Sequence, residues 1–300
     1  MRKLHYNRIK HNGVEIFAWI FLSIASVAFI FPLVASFMIS ISSRESIAQN
    51  GFQLIPSGFS FEAYRILFTG YGQSMFRSLA LTIGTGLIQP ALSILCCVLM
   101  AYPMSQPDLA GKKFWRIYLL ITMLFSAGLV PNYILRVNYL HLKNNIMIFM
   151  IPAVGAWTVF LFRTFFMNLD KGMIEAAKID GASKMQILFK IMLPLTKPLI
   201  AMNFFSGFLG RWNDITTNIY YVTDRKLYTF QYMLQEMLRS VDAAKKLIEA
   251  GLSVSIEVPD IPVDATRYAL AFISALPVII LFPYIQKYYA KGIVMGSTKG

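Results

Sequence analysis

The chain has 300 residues, of which 56% are hydrophobic and 14% charged, and its mean hydropathy is +0.56. That balance exceeds what a soluble core can hide and points to a polytopic membrane protein. The formal net charge of +13 would suit a nucleic-acid partner, but the basic residues are scattered between apolar runs and form no groove-like patch.

In chain order, Arg2, Lys3, Arg8 and Lys10 precede an apolar run over 16–41. A signal peptide also begins with basic residues, but its apolar region spans only about 7–15 residues, so this run reads as a retained first membrane helix behind a cytoplasmic N-terminus at 1–13. A bilayer core needs about 20 apolar residues per helix, and further runs near 78–104, 117–135, 146–166, 198–222 and 267–285 meet that length. The expected fold is all-α with six transmembrane helices over 14–285, and a cytoplasmic tail at 286–300.

Charge placement tests the layout. The inner pieces hold Lys112, Lys113 and Arg116, then Arg163, Lys171, Lys178, Lys184, Lys190 and Lys197, then Lys287, Lys291 and Lys299. The shorter outer loops hold Arg44, Arg65 and Arg77, and then Arg136 and Lys143. This positive-inside bias puts the loop between helices four and five, 167–197, in the cytoplasm. Outside, the loop over 42–77 and the longer one over 223–266, with a helical pattern at 228–249 and a Pro-containing extended stretch after it, offer a platform for an extracellular partner.

The loop over 167–197 is a charged, helix-forming island between two very apolar segments. Asp170 can cap a first helix, which Asp180-Gly181 stops because Gly accepts the left-handed conformation without steric cost. Ser183 followed by Gln186 is a capping box, so a second helix is expected to run to Pro194. Met185, Leu188, Phe189 and Met192 make one apolar stripe on it; Met173, Ala176 and Ala177 make a smaller surface on the first helix, with Glu175 beside it. Such surfaces serve either self-packing or a groove on a partner.

Within the fifth span, Arg211 and Asp214 interrupt a run of apolar and small residues and can pair at i, i+3. Ionisable groups at membrane depth usually face a bundle interior or a wet cavity. With Trp212, Asn213 and Asn218 they form a candidate pathway for a hydroxyl-rich solute, or alternatively a structural ion pair near the outer interface. Cys96 and Cys97 are adjacent in an apolar run and read as packing residues. His5, His11 and His141 have no metal-site spacing, and no nucleophile paired with a base is visible. No G-x-x-x-x-G-K-[ST] loop is present, so the chain has no usual cradle for ATP phosphates.

Glu175-Ala176-Ala177, three residues, Gly181, nine residues, then Ile191-x-Leu193-Pro194 resembles, without gap or substitution, the EAA loop of ABC-type importer permeases. The resemblance implies a coupling helix docking into a cleft of a separate cytoplasmic ATPase, with Glu175, Ala176, Ala177, Asp180, Gly181 and Met185 at the contact. The rest of the chain resembles maltose-type carbohydrate importer permeases: RWND at 211–214 is similar to their tryptophan-asparagine signature, and the ending at 285–300 to their closing segment. In subunits with that tail it reaches the ATPase dimer interface, which makes Gly296, Lys299 and Gly300 candidates for a second contact. Residues 239–264 depart from simple sugar permeases and are similar to the branch handling larger oligosaccharides or glycans. The resemblance further implies a companion permease, an ATPase dimer carrying ATP and Mg, an extracytoplasmic solute-binding protein and a bacterial cytoplasmic membrane. The rival reading, an ion-coupled secondary transporter, needs carboxylates or His in several spans and tends to show internal repeats; one clear intramembrane carboxylate, Asp214, and no repeat are found.

Overall fold

The computed structural model describes residues 13–249 and 262–297. They form helices without a β-strand among them; one isolated bridge joins Ser42 and Phe59. The order is α1 (Gly13–Ser40), α2 (Arg44–Asn50), α3 (Glu62–Ser105), α4 (Lys112–Leu124), α5 (Leu129–Ile134), α6 (Ala156–Met167), α7 (Lys171–Ile179), α8 (Lys184–Gln186), α9 (Leu193–Leu195), α10 (Lys197–Trp212), α11 (Thr216–Tyr221), α12 (Phe230–Glu249) and α13 (Val263–Ser297). Two π-helical pieces, Leu135–Tyr139 and Ile187–Met192, and two short 3-10 turns complete the path.

α1, α3 and α13 are each long and apolar enough to cross a membrane. Two helix pairs meet the same length and composition only when each is taken together across a sharp bend: α4 meets α5 and its π extension at 107°, and the α8–α9 path meets α10 at 77°. The fourth expected span, 146–166, supplies only the 12-residue α6, because Pro152 and Gly155 hold the chain open ahead of it. The third expected span is not one helix either. It breaks at Gly128, whose φ of 78° is open to glycine at no steric cost. The fifth ends at Trp212 and restarts at Thr216. α3 begins sixteen residues earlier than the predicted 78 and α13 continues past 285 to Ser297.

The chain divides into two compact units. In the first, residues up to Tyr71 with Leu238–Ala275, Ser40 and Tyr64 share a hydroxyl hydrogen bond of 2.7 Å. Phe37 packs on Phe272 at 4.9 Å and Phe52 on Tyr268 at 5.5 Å between ring centroids, and Arg267 pairs with Asp242. The most apolar 18-residue window of α1 contains no buried residue.

The second unit, Gly72–Met237 with residues from Leu276 onward, holds the main core. Val98, Ala101 and Tyr102 of α3, Val159, Phe162 and Phe166 of α6, and Ile187, Leu188 and Met192 of the loop form one buried cluster. α3 and α10 approach through glycine: a Cβ on Gly207 would fall 2.8 Å from Cβ of Pro90, whose ring cannot swing away. Gly210, one turn on, has open space around it. Gly207→Ala is therefore expected to lower the melting temperature of the detergent-solubilised protein through overpacking worth about 1–3 kcal/mol, while Gly210→Ala, which meets open space within a helix, leaves it unchanged or slightly raised; equal melting curves would remove the close approach as a constraint.

Candidate functional site

The loop over 167–197 folds as its caps dictate. Asp170 Oδ1 accepts from the Gly172 N–H at 2.8 Å and opens α7. Gly181 ends it at φ 80°. Ser183 and Gln186 then close a reciprocal box: Ser183 Oγ accepts from the Gln186 N–H at 3.3 Å, and Gln186 Oε1 from the Ser183 N–H at 2.8 Å.

Beyond the box the path differs from the expected plain helix. It widens to π over Ile187–Met192, and Pro194 sits inside the last turn, with the stop coming at Thr196. Pro194 has no N–H to return to the preceding turn, and π insertions accommodate such breaks in the ladder.

This geometry splits the predicted apolar stripe. Leu188 and Met192 face inward with Ile187 and are fully buried. Met185 and Phe189 face out, 58% and 48% exposed. On α7, Ile174 and Ala177 pack against the core, while Glu175, Ala176 and Asp180 are exposed. Of the two expected close-approach alanines, Ala176 is exposed and Ala177 is half-buried against the protein's own core. The outer face contains a residue not singled out from sequence, Ile179, 86% exposed at the tip of α7. Its position just before Asp180-Gly181 was the available signal: an isoleucine beside a turn with no apolar neighbour in register.

The cluster at 211–218 is also resolved. Arg211 Nη1 donates to Asp214 Oδ2 at 2.6 Å, and Asp214 in turn caps α11 by accepting from the Thr217 N–H at 3.0 Å and from Thr217 Oγ1 at 2.5 Å. The guanidinium lies 4.6 Å over the Phe149 ring, and its Nε and Nη2 are buried with no hydrogen-bond partner among the described residues. The ring quadrupole offsets part of that missing pairing. Asn218, fully buried, donates to the Leu227 carbonyl at 3.2 Å and accepts from Thr229 Oγ1 at 2.6 Å. The neighbouring Phe230 N–H donates to Thr82 Oγ1 of α3 at 2.8 Å. Trp212 stacks on Phe208 at 6.2 Å and is 1% exposed.

Of the five candidate pathway residues, the structure therefore places Arg211, Trp212 and Asn218 inside the protein as ties between α3, α10, α11 and the start of α12. Asn213 is exposed, with Asp214 between the two sets. Thr82, Thr217 and Thr229 went unnoticed in sequence because a threonine in an apolar run looks like a β-branched packing residue. Gly296 lies in α13, whereas Lys299 and Gly300 fall outside the described residues. Among the described residues no three His, Cys, Asp or Glu side chains converge as a metal site.

The sequence matches the family described as binding-protein-dependent transport system inner membrane component over residues 1–294. It is 31% identical over 295 residues to the polygalacturonan/rhamnogalacturonan transport system permease protein YtcP of Bacillus subtilis, covering 98% of this chain and 99% of that protein. It is 27% identical over 308 residues to the arabinooligosaccharides transport system permease protein AraQ of Halalkalibacterium halodurans, covering 97% and 100%. The fold matches a chain from the crystal structure of a bacterial ABC transporter involved in the import of the acidic polysaccharide alginate, with a TM-score of 0.79 and 27% identity over 95% of this chain and 99% of that one. With family, relatives and fold agreeing along the chain, it belongs to the binding-protein-dependent transport system inner membrane components and is a membrane permease of an ABC transporter.

Proposed function

We propose that the chain is the permease subunit of an ATP-driven importer for an oligosaccharide or polysaccharide, in a bacterial cytoplasmic membrane with both termini and the 167–197 loop in the cytoplasm. The observation carrying this reading is the two-sided loop: one side locked into the core by Ile187, Leu188 and Met192, the other offering Ile179, Met185 and Phe189 to a partner. A helix pair held on one side and bare on the other can be pushed as a body, and bare apolar side chains beside a carboxylate, Glu175, suit a groove on another protein. That partner is a cytoplasmic ATPase dimer, which binds ATP and Mg and carries out the hydrolysis. A companion permease completes the pathway and an extracytoplasmic binding protein delivers the solute. The tail ending in Gly296, Lys299 and Gly300 is a second contact to the ATPase.

Lever motion reaches the membrane through the 77° bend at Thr196 into α10, and α10 carries the 211–218 cluster at its far end. Coupling between the two ends is reciprocal, so a loaded binding protein docked outside favours ATPase closure inside. The glycan class is supported by the named cargoes of the relatives, and the exposed amide of Asn213, with Asp214, is the solute contact we assign to this subunit.

Three outcomes test these roles. Phe189→Asp, at a half-exposed site where folding is undisturbed, is expected to abolish co-purification of the ATPase subunit and reduce uptake more than tenfold; an intact, active complex would refute the lever. Asn218→Ala leaves buried partners unsatisfied and is expected to destabilise by about 1–3 kcal/mol, read as a lower melting temperature. Asn213→Ala is expected to raise the KM for uptake without moving the melt, and unchanged uptake would remove it from the pathway.

A further inference from the structure

A cleft of about 380 Å³ lies beside α7, between the end of α3, the start of α4 and the end of α6. Two cations, Lys112 and Lys178, line it with Ser105 and Gln106, and Glu175 is the one carboxylate on its wall. Its floor is apolar, including Phe166 and Met192. The volume falls in the range of pockets that hold small molecules, but apolar floor and cationic rim together describe an amphiphile.

The rim is built. Lys112 Nζ gives one proton to the Gln106 carbonyl at 2.9 Å, which fixes the ammonium at the mouth and leaves two protons free for an anion. Arg163 donates from Nε to the Met104 carbonyl at 3.0 Å, holding a third cation at the same end of α3. Lys113 and Arg116 follow on α4, and Asp108 and Asp170 are the further carboxylates of this end, the latter engaged in capping α7. α4 begins at Lys112 with no side chain capping its first turn, and an anion there meets unpaired N–H groups and the positive end of the helix dipole. The cleft lies where α3 and α6 end and α4 begins, beside the loop proposed above to be cytoplasmic, and basic pockets between helices on that side take anionic lipid headgroups.

We propose that this cleft is a binding site for an anionic phospholipid, its phosphate held between Lys112 and Lys178 and its glycerol backbone resting on Met167 and Ile174. α7 forms one wall, so an occupied cleft ties α7 to the ends of α3 and α6 and stiffens the lever. This rests on the cytoplasmic placement of the loop proposed above. A soluble phosphorylated metabolite offers the same phosphate chemistry without the acyl chains.

The test uses the purified permease complex in nanodiscs of phosphatidylcholine, titrated separately with short-chain phosphatidylglycerol and with inorganic phosphate, and bound lipid is counted by native mass spectrometry. Phosphatidylglycerol is expected to bind saturably, and Lys112→Gln with Lys178→Gln to weaken it about 25-fold, from two cation contacts of about fivefold each. The double Lys→Arg variant is expected to restore binding, and Lys226→Gln, at the other end of the unit, to leave it unchanged. Wild-type affinity in the double Gln variant, equal loss in Lys226→Gln, or displacement of the lipid by inorganic phosphate at matching concentration would each overturn the proposal. The count of bound lipid needs no ATPase subunit, so a failure of the lever in Phe189→Asp and a failure of this site are read separately.

Discussion

The whole functional reading depends on one packing constraint: Ile187, Leu188 and Met192 have almost no accessible surface and belong to the same buried cluster as Phe162, Phe166 and Tyr102. Each such side chain contributes roughly 1.5–3 kcal/mol when fully buried. Those three anchors make the 167–197 loop an extension of the helical core instead of a tether. A loop attached only at its ends would absorb a push in its own dihedral angles. One nailed to α3 and α6 transmits it.

The second support is polar. The 211–218 cluster joins four elements through Asp214, Asn218, Thr229 and Thr82, each hydrogen bond closing a buried group that would otherwise cost about 1–3 kcal/mol. Apolar packing between membrane helices is not driven by water exclusion, because lipid tails are as apolar as the side chains themselves, so small-residue contacts and interhelical hydrogen bonds carry more of the burden. Gly207 against Pro90 and Asn218 against Thr229 are one of each kind.

Much of this was legible in the sequence. The caps at Asp170 and Ser183, the turn at Gly181 and the pairing of Arg211 with Asp214 depend on contacts within a few residues, and local chemistry determines them. The apolar runs located the three long helices α1, α3 and α13, because length and composition are properties of the run itself. What the runs could not convey was their continuity: Gly128 and the capping role of Asp214 break two of them, and hydropathy averages over such breaks. Side-chain direction was also beyond reach, because placing Ala177 inward and Ile179 outward requires knowing where α3 and α6 lie. Asn218 read as a pathway amide since nothing near it in sequence reveals Thr229 as its partner. The bare surface of α1 has a related cause: its stretch faces lipid or another polypeptide, and neither is written in this chain.

The buried guanidinium of Arg211 carries a consequence for biogenesis. A cation at the centre of a bilayer costs a helix roughly 2.5–3.5 kcal/mol on insertion scales, yet Phe149, which covers it, is synthesised more than sixty residues earlier. The covering ring thus precedes the charge in synthesis, and the carboxylate that pairs with it, Asp214, follows only three residues later, so charge and counter-charge leave the ribosome together.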